Sequence, residues 1–154
     1  KLTGPGRVGY ETREFSDGTP TPSSPVVDVS LSHRLSPKAG LSLSYARLHD
    51  VSVQYAKESY TANVATLQLN QTLGSAGKWR ASVSGTYGKY EYETGAGAAD
   101  RQYDRLGANF GLAYQIQLWL SANLAYSFES IRTSSAGMSE YDVNRVTLGV
   151  AIGY

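Results

Sequence analysis

The charged side chains of this sequence are the residues whose types and spacing could do chemistry. Most of them occur singly, inside segments in which polar and apolar residues alternate. A period of two places successive side chains on opposite faces of a β-strand. We predict that eight charged residues lie on the polar face and line a lumen: Glu11, Arg13, Asp28, Arg34, Arg80, Arg105, Glu129 and Arg145. If the strands enclose a narrow lumen, these residues would form ion pairs that stabilise its interior. If the lumen is wide, they would determine which ions pass through it.

Catalytic and metal-binding patterns are missing from the sequence. His33 and His49 lie on different predicted strands, without a carboxylate at the spacing of a metal ligand. The G-A-G-A stretch at 95–98 lacks the Lys-Ser/Thr pair and the following helix of a phosphate-binding loop. There is no Cys and no G-x-S-x-G motif, and no nucleophile is paired with a base. We predict a protein that is not an enzyme and that needs neither cofactor nor metal.

Eight alternating segments must position these charges, and helix signals are nearly absent. The segments are 7–15, 26–35, 41–54, 61–73, 79–92, 103–115, 118–129 and 141–154. Each is close to the length of a strand that crosses a bilayer at a tilt. Short connections at 36–40, 75–78 and 116–117 alternate with long ones at 16–25, 55–60, 95–100 and 134–140. This pattern predicts an all-β, antiparallel, up-and-down transmembrane β-barrel of about eight strands, forming one domain over residues 1–154.

The composition favours lipid on the apolar side of this barrel. The net charge of +1 gives no field that would attract nucleic acid. The polar face is rich in Ser, Gly, Asn and Thr, whereas water-exposed faces of soluble proteins carry more Lys and Glu. Aromatic residues occur near strand ends, as in the interfacial girdles of membrane barrels: Tyr45, Trp79, Tyr87, Tyr103, Tyr114, Tyr126, Phe128 and Tyr154.

Arg47 and His49 are exceptions to the alternation, because both occupy positions of the third segment (41–54) that should face the apolar side. Either the strand has left the hydrocarbon by that point, or a β-bulge resets its faces. The last segment keeps its pattern to its final residue. There, Thr147, Gly149, Ile152 and Tyr154 are spaced like the C-terminal signal that the assembly machinery of bacterial outer-membrane barrels reads.

Three stretches together are typical of one protein family: G-R-V-G-Y-E-T-R-E-F-S-D-G (6–18), V-V-D-V-S-L-S-H-R-L-S-P-K-A-G-L-S-L-S-Y-A-R (26–47) and Y-D-V-N-R-V-T-L-G-V-A-I-G-Y (141–154). They resemble the beta-barrel porin type 2 family of Gram-negative outer-membrane proteins. The resemblance implies the C-terminal portion of a longer barrel in the bacterial outer membrane. It also implies contact with lipid and lipopolysaccharide, and a link to exopolysaccharide or other envelope components. No catalytic motif carries over from the family.

Three functions follow as expectations. The first is a porin-type barrel for passive passage of a solute or surface polymer through a polar lumen. The second is an eight-stranded barrel without a pore, acting as a structural or surface-interaction protein through its long loops. The third is a soluble β-barrel that holds a ligand and turns its apolar faces inward.

Overall fold

A computed structural model describes residues 1–12, 24–51, 59–93, 101–133 and 139–153 of the chain. These residues form the strands β1 (Leu2–Thr3), β2 (Gly6–Glu11), β3 (Ser24–Ser36), β4 (Ala39–Val51), β5 (Ser59–Leu73), β6 (Trp79–Glu93), β7 (Arg101–Gln117), β8 (Leu120–Thr133) and β9 (Tyr141–Ile152). The predicted all-β, antiparallel, up-and-down fold is confirmed. The predicted lumen residue Arg13 and the final residue Tyr154 lie outside the described ranges, as do most residues of the four long connections.

The strands form one sheet in which every strand from β3 to β8 pairs with the next strand of the chain. β1 and β2 both pair with β3, on either side of a break at Gly4 and Pro5, so the nine strands occupy eight rows. Gly4 lies against the backbone of Ser30, where a Cβ atom would overlap the Ser30 carbonyl oxygen. The outer rows, β1/β2 and β9, are not hydrogen-bonded to each other in the described residues.

The three short connections lie together at one end of the sheet, and one of them differs from the prediction. β7 continues through Gln117, with a register shift after Gln115, and the turn is formed by Leu118 and Trp119. The predicted turn at 116–117 and the predicted strand start at Leu118 are therefore wrong. Leu118 and Leu120 continue the alternation of β7 across the turn, and neither turn residue is a Gly, Pro, Asn or Asp that would signal one.

The register sorts the side chains of all rows onto two faces. Leu31, Leu43 and Leu67 lie opposite one another on neighbouring strands, and Ser30, Ser44 and Thr66 do the same on the other face. The sheet has no apolar core, because Ala62 is the one buried apolar side chain among the described residues. Its stability in the described part comes from backbone ladders and cross-strand pairs of side chains.

Candidate functional site

The sheet is curled, and its polar face is the concave one. Residues from β1, β3, β4, β5, β6, β7 and β8 border a single cavity of about 920 Å³ near the short-turn end. In every row from β3 to β8 the cavity is flanked by two polar-face residues: Ser32, Arg34, Gly40, Ser42, Asn70, Thr72, Arg80, Ser82, Gly111, Ala113, Asn123 and Ala125. The apolar face is therefore convex, and it points away from the cavity.

Between this cavity and the long loops, the concave face carries polar side chains that hydrogen-bond to one another across neighbouring strands. The Thr66 and Thr86 hydroxyls lie 3.1 Å apart, and the Asn109 amide donates to the Ser84 hydroxyl at 3.3 Å. Such groups are hydrogen-bonded but occupy little volume. The concave side is thus a polar surface bordering open space, and it can hold water and polar solutes.

The predicted lumen residues that the structure describes all lie on the concave face. Arg34 and Arg80 border the cavity. Nearer the long loops on the same face, the Arg105 guanidinium and the Glu129 carboxylate form an ion pair at 2.7 Å. The other three lie on the outer rows or on the strand beside them: Glu11 on β2, Asp28 opposite Arg7 on β3, and Arg145 opposite Ser127 on β9.

The convex face carries a repeated tyrosine hydrogen bond, once in each of three successive hairpins. In each case the hydroxyl donates to the side chain of an Asn or Asp on the following strand, nearer the long loops. The pairs are Tyr45–Asn63 (3.0 Å), Tyr87–Asp104 (2.9 Å) and Tyr126–Asn144 (2.7 Å). We refer to Tyr45, Tyr87 and Tyr126 as the tyrosine row. The tyrosine row separates an apolar part of the convex face from a polar part. Each ring lies among the apolar side chains, and each hydroxyl points toward the polar ones.

Beyond the tyrosine row, the same convex face becomes polar. This polar belt consists of Arg47, His49, Thr61, Asn63, Lys89, Glu91, Asp104, Arg132, Asp142 and Asn144. It contains the ion pairs Lys89–Glu91 at 2.7 Å and Arg132–Asp142 at 2.9 Å. The hydrogen bond from Arg132 holds the pKa of Asp142, which lies on the loop side of the tyrosine row, below its ordinary value.

Arg47 and His49 belong to this belt. β4 pairs with β5 without interruption from Ala39 to Val51, so no bulge resets the faces of β4. The bulge explanation for these two residues is therefore wrong. Arg47 donates to Asn63 at 3.4 Å, and His49 Nδ1 lies 3.2 Å from the Thr61 hydroxyl. Both side chains lie on the convex face because the strand runs past the end of the apolar region.

The opposite end of the convex face is also aromatic. The Trp79 and Tyr114 rings pack with centroids 4.4 Å apart on neighbouring strands. Trp79 and Tyr87 lie eight residues apart on β6, which corresponds to ~26 Å along the strand. At the tilt of about 40° that is usual for transmembrane β-barrels, this length would correspond to a height of ~20 Å. We call the convex face between Trp79 and Tyr87 the apolar band.

A cluster of tyrosines on the concave face was missed by the sequence analysis. Tyr90 and Tyr103 stack with centroids 4.5 Å apart, and Tyr60 and Tyr92 stack at 5.2 Å. The Arg101 guanidinium lies 6.0 Å from the centre of the Tyr92 ring. The Tyr90 ring covers Gly88, where its Cε2 atom would be 2.8 Å from an added Cβ atom. Near the long loops, the lining of the concave face therefore changes from small side chains to aromatic ones.

The prediction that Tyr103 belongs to the outer girdle is wrong. It lies three residues from the convex residue Leu106, so the period of two places it on the concave face. Counting positions from Leu106 would have placed Tyr103 on the concave face. The prediction considered only that Tyr103 is an aromatic residue near a strand end. Of the predicted assembly signal, Thr147 and Gly149 lie on the concave face and Ile152 on the convex face.

Within the described ranges, no three His, Asp or Glu side chains are grouped closely enough to hold a metal ion. The described residues contain no helix that is both long and apolar enough to cross a membrane. Comparisons of the chain with family models, with curated proteins and with solved structures gave no match.

Proposed function

We propose that this chain forms the wall of a porin-type β-barrel in the bacterial outer membrane, where a solute or surface polymer passes along the concave polar face. The observation that carries the proposal is the distribution of apolar and polar side chains between the two faces of the sheet. The large apolar side chains of the convex face, such as Leu43, Leu67 and Phe110, are exposed, while the concave face is polar. An apolar surface of this size on the outside of a curled sheet matches a lipid solvent.

The sorting argues against a soluble ligand-binding barrel. A soluble barrel is stabilised by turning its apolar face inward, at roughly 25 cal/mol for each Å² removed from water. Here the inward face carries Ser, Thr, Asn and Gly, with tyrosines only near the long loops, and the large apolar side chains of the convex face would remain in water. In a bilayer the same arrangement becomes favourable, since hydrocarbon solvates the convex face and the lumen stays polar.

The limits of the apolar band support a membrane of bacterial outer-membrane thickness. The band is bounded by Trp79 and Tyr114 at one end and by the tyrosine row at the other, as interfacial girdles are. Its height of ~20 Å is close to the ~25 Å of known outer-membrane barrels. The charges of the polar belt then lie at the level of lipopolysaccharide headgroups. Membership of the beta-barrel porin type 2 family and insertion by the barrel-assembly machinery are parts of this proposal.

A pore-less barrel with a role for its long loops is the second candidate, favoured by the even number of eight rows. The interior of an eight-stranded barrel is filled by side chains. The small residues around the cavity of about 920 Å³ leave the short-turn end of such an interior unfilled, whereas tyrosines line it near the long loops. The unfilled end favours the open lumen over the pore-less barrel.

Conductance of the refolded chain in a planar lipid bilayer tests the proposal. We expect insertion followed by discrete, stable channel openings. Insertion without conductance would favour the pore-less barrel. A monodisperse protein that stays folded in buffer without detergent would contradict the membrane proposal altogether.

A further inference from the structure

The charges of the chain are distributed unequally between the two ends of the sheet. Three stretches of sequence contain a short connection each and none of the chain's 13 Asp and Glu residues: 29–49, 59–90 and 105–128. On the described part of the concave face, every acidic side chain lies in the half of its strand nearer the long connections: Glu11, Asp28, Asp50 and Glu129. The short-turn end of this face therefore lacks negative charge.

The cavity at the short-turn end is bordered by basic side chains without acidic ones. Lys1, Arg34, Lys38 and Arg80 border it, and none of its described lining residues is an Asp or a Glu. The Lys38 ammonium donates to the Gly74 carbonyl at 2.7 Å, which holds this charge beside the turns. A cleft lined by charges of one sign concentrates ions of the opposite sign. We therefore expect anions to accumulate in this cavity.

The two arginines of the cavity have no partner in the described ranges. On the same face, nearer the long loops, the Arg105 guanidinium is paired with the Glu129 carboxylate at 2.7 Å. Arg34 and Arg80 form neither an ion pair nor a side-chain hydrogen bond with any described residue. A guanidinium group binds carboxylate and phosphate groups through two parallel hydrogen bonds. Both side chains can therefore bind an oxyanion that comes from outside the protein.

The spacing of the two arginines favours a ligand with several charges over a single small ion. Arg34 lies opposite Gly40, and this row of the sheet continues through Asn70 to Ser82 on β6. Arg80 lies two residues from Ser82 on the same face of β6. Three strand spacings separate β3 from β6, which amounts to ~14 Å along the sheet. An extended anion can contact both guanidinium groups and the polar side chains between them.

We propose that the short-turn end of the concave face is a binding site for oxyanions. We further propose that the solute or polymer carried along this face bears several carboxylate or phosphate groups. The carried species rests on the proposed function, because only a conducting wall moves a solute past the site. The binding site itself rests on the free arginines and the absence of carboxylates around the cavity.

Calorimetric titration of the refolded chain in dodecyl maltoside, an uncharged detergent, tests the site without a membrane. The probes are tripolyphosphate and trigalacturonate, which separate phosphate from carboxylate recognition, and the neutral maltotriose. We expect one or both anions to bind and maltotriose not to bind. In Arg34→Gln/Arg80→Gln the affinity for the bound anion should fall roughly tenfold, because two exposed ion pairs are lost.

Matched variants separate the site from the net charge of the protein. Lys78→Gln/Arg132→Gln removes the same charge at two positions that do not border the cavity, so anion binding should stay close to wild type. Arg34→Lys/Arg80→Lys keeps the charges but loses the paired hydrogen bonds of the guanidinium groups. Its affinity should lie between those of wild type and Arg34→Gln/Arg80→Gln.

Conductance in a planar bilayer tests the carried species. We expect the anion that binds in detergent to reduce the channel current, while maltotriose at the same concentration does not. The concentration that halves the current should rise in Arg34→Gln/Arg80→Gln and stay unchanged in Lys78→Gln/Arg132→Gln. Added salt should weaken the block, because it screens charges that water reaches.

The two experiments distinguish failure of this inference from failure of the proposed function. Conducting channels that neither bind nor respond to the anions would overturn the inference and leave the proposed function standing. Equal anion affinity in wild type and Arg34→Gln/Arg80→Gln would also overturn it, because the anion would then bind elsewhere. Anion binding in detergent without any conductance would support the site but contradict passage along the wall.

Discussion

At the scale of single residues, the proposed membrane location places the tyrosine row at the boundary between lipid and water on the convex face. The Tyr126 hydroxyl donates to Asn144 at 2.7 Å. We expect Tyr126→Phe to lower the free energy of unfolding from lipid vesicles by about 0.5–1.5 kcal/mol, the net value of one hydrogen bond. Urea titration followed by tryptophan fluorescence measures the loss. Asn144→Leu and the double variant complete a cycle, and strictly additive effects would contradict a direct bond.

The Arg105–Glu129 pair tests whether the concave wall is a conducting lumen. Glu129→Gln leaves the Arg105 guanidinium uncompensated there, so we expect the channel to shift toward anions. Reversal potentials under a salt gradient measure the shift, and Arg105→Gln should move it in the opposite direction. The Arg105→Gln/Glu129→Gln double variant should return close to wild type. Arg132→Gln, on the convex face, is the control; a shift as large as that of Glu129→Gln would contradict the assignment of the two faces.

The Arg132–Asp142 contact predicts that the β8–β9 hairpin loses stability in acid. The folded pKa of Asp142 lies below its unfolded value because Arg132 hydrogen-bonds to the charged form. Its stabilising contribution is therefore present above the unfolded pKa and is lost as the pH falls through the folded pKa. We expect the acid-induced fall in melting temperature to be smaller in Asp142→Asn than in wild type. Identical pH profiles for the two proteins would contradict this role.

At the scale of elements, the two faces of β5 should respond oppositely to the same charge. Leu69 lies on the convex face about midway along the apolar band, and its neighbour Gln68 lies on the concave face. Leu69→Arg should destabilise the inserted protein by about 2–4 kcal/mol, the cost of Arg at the bilayer midplane. Gln68→Arg should leave stability nearly unchanged and alter conductance. Equal losses in the two variants would exclude a lipid-facing convex side.

Period-two reasoning predicted the faces of the strands well but placed some of their ends poorly. A face depends on alternation within one strand, which the sequence states directly. The turn at Leu118 and Trp119 depends on tertiary context, because two apolar residues there give no local signal. The stacked Tyr90 and Tyr103 depend on the register between strands, which the sequence of one strand does not contain.

At the scale of the whole molecule, the proposed function depends on which face of the sheet is concave, and the alternation of residues along the strands does not determine that. The same two-faced strands could curl with either face inward. Curling the polar face inward leaves a cavity at its short-turn end and the apolar band outside. The sequence hinted at this direction only through the shortage of Lys and Glu on the polar face and the aromatic residues near strand ends.

The height of the apolar band predicts the bilayer thickness into which the protein inserts most readily. Between Trp79 and Tyr87 the band spans ~20 Å, less than the ~30 Å hydrocarbon core of a typical bilayer. Mismatch costs a fraction of a kcal/mol per Å, so thicker bilayers should disfavour the inserted state. We expect refolding yield across phosphatidylcholines of increasing chain length to be highest where the hydrocarbon core is close to 20 Å.

The position of Trp79 gives a second measurement of the same band. Because Trp79 lies at the edge of the band, brominated lipids should quench its fluorescence more when the bromines lie near the headgroups than when they lie near the chain ends. Trp119→Phe removes the other tryptophan and isolates the signal of Trp79. A yield that rises with thickness, or quenching strongest at the bilayer centre, would contradict the band as drawn.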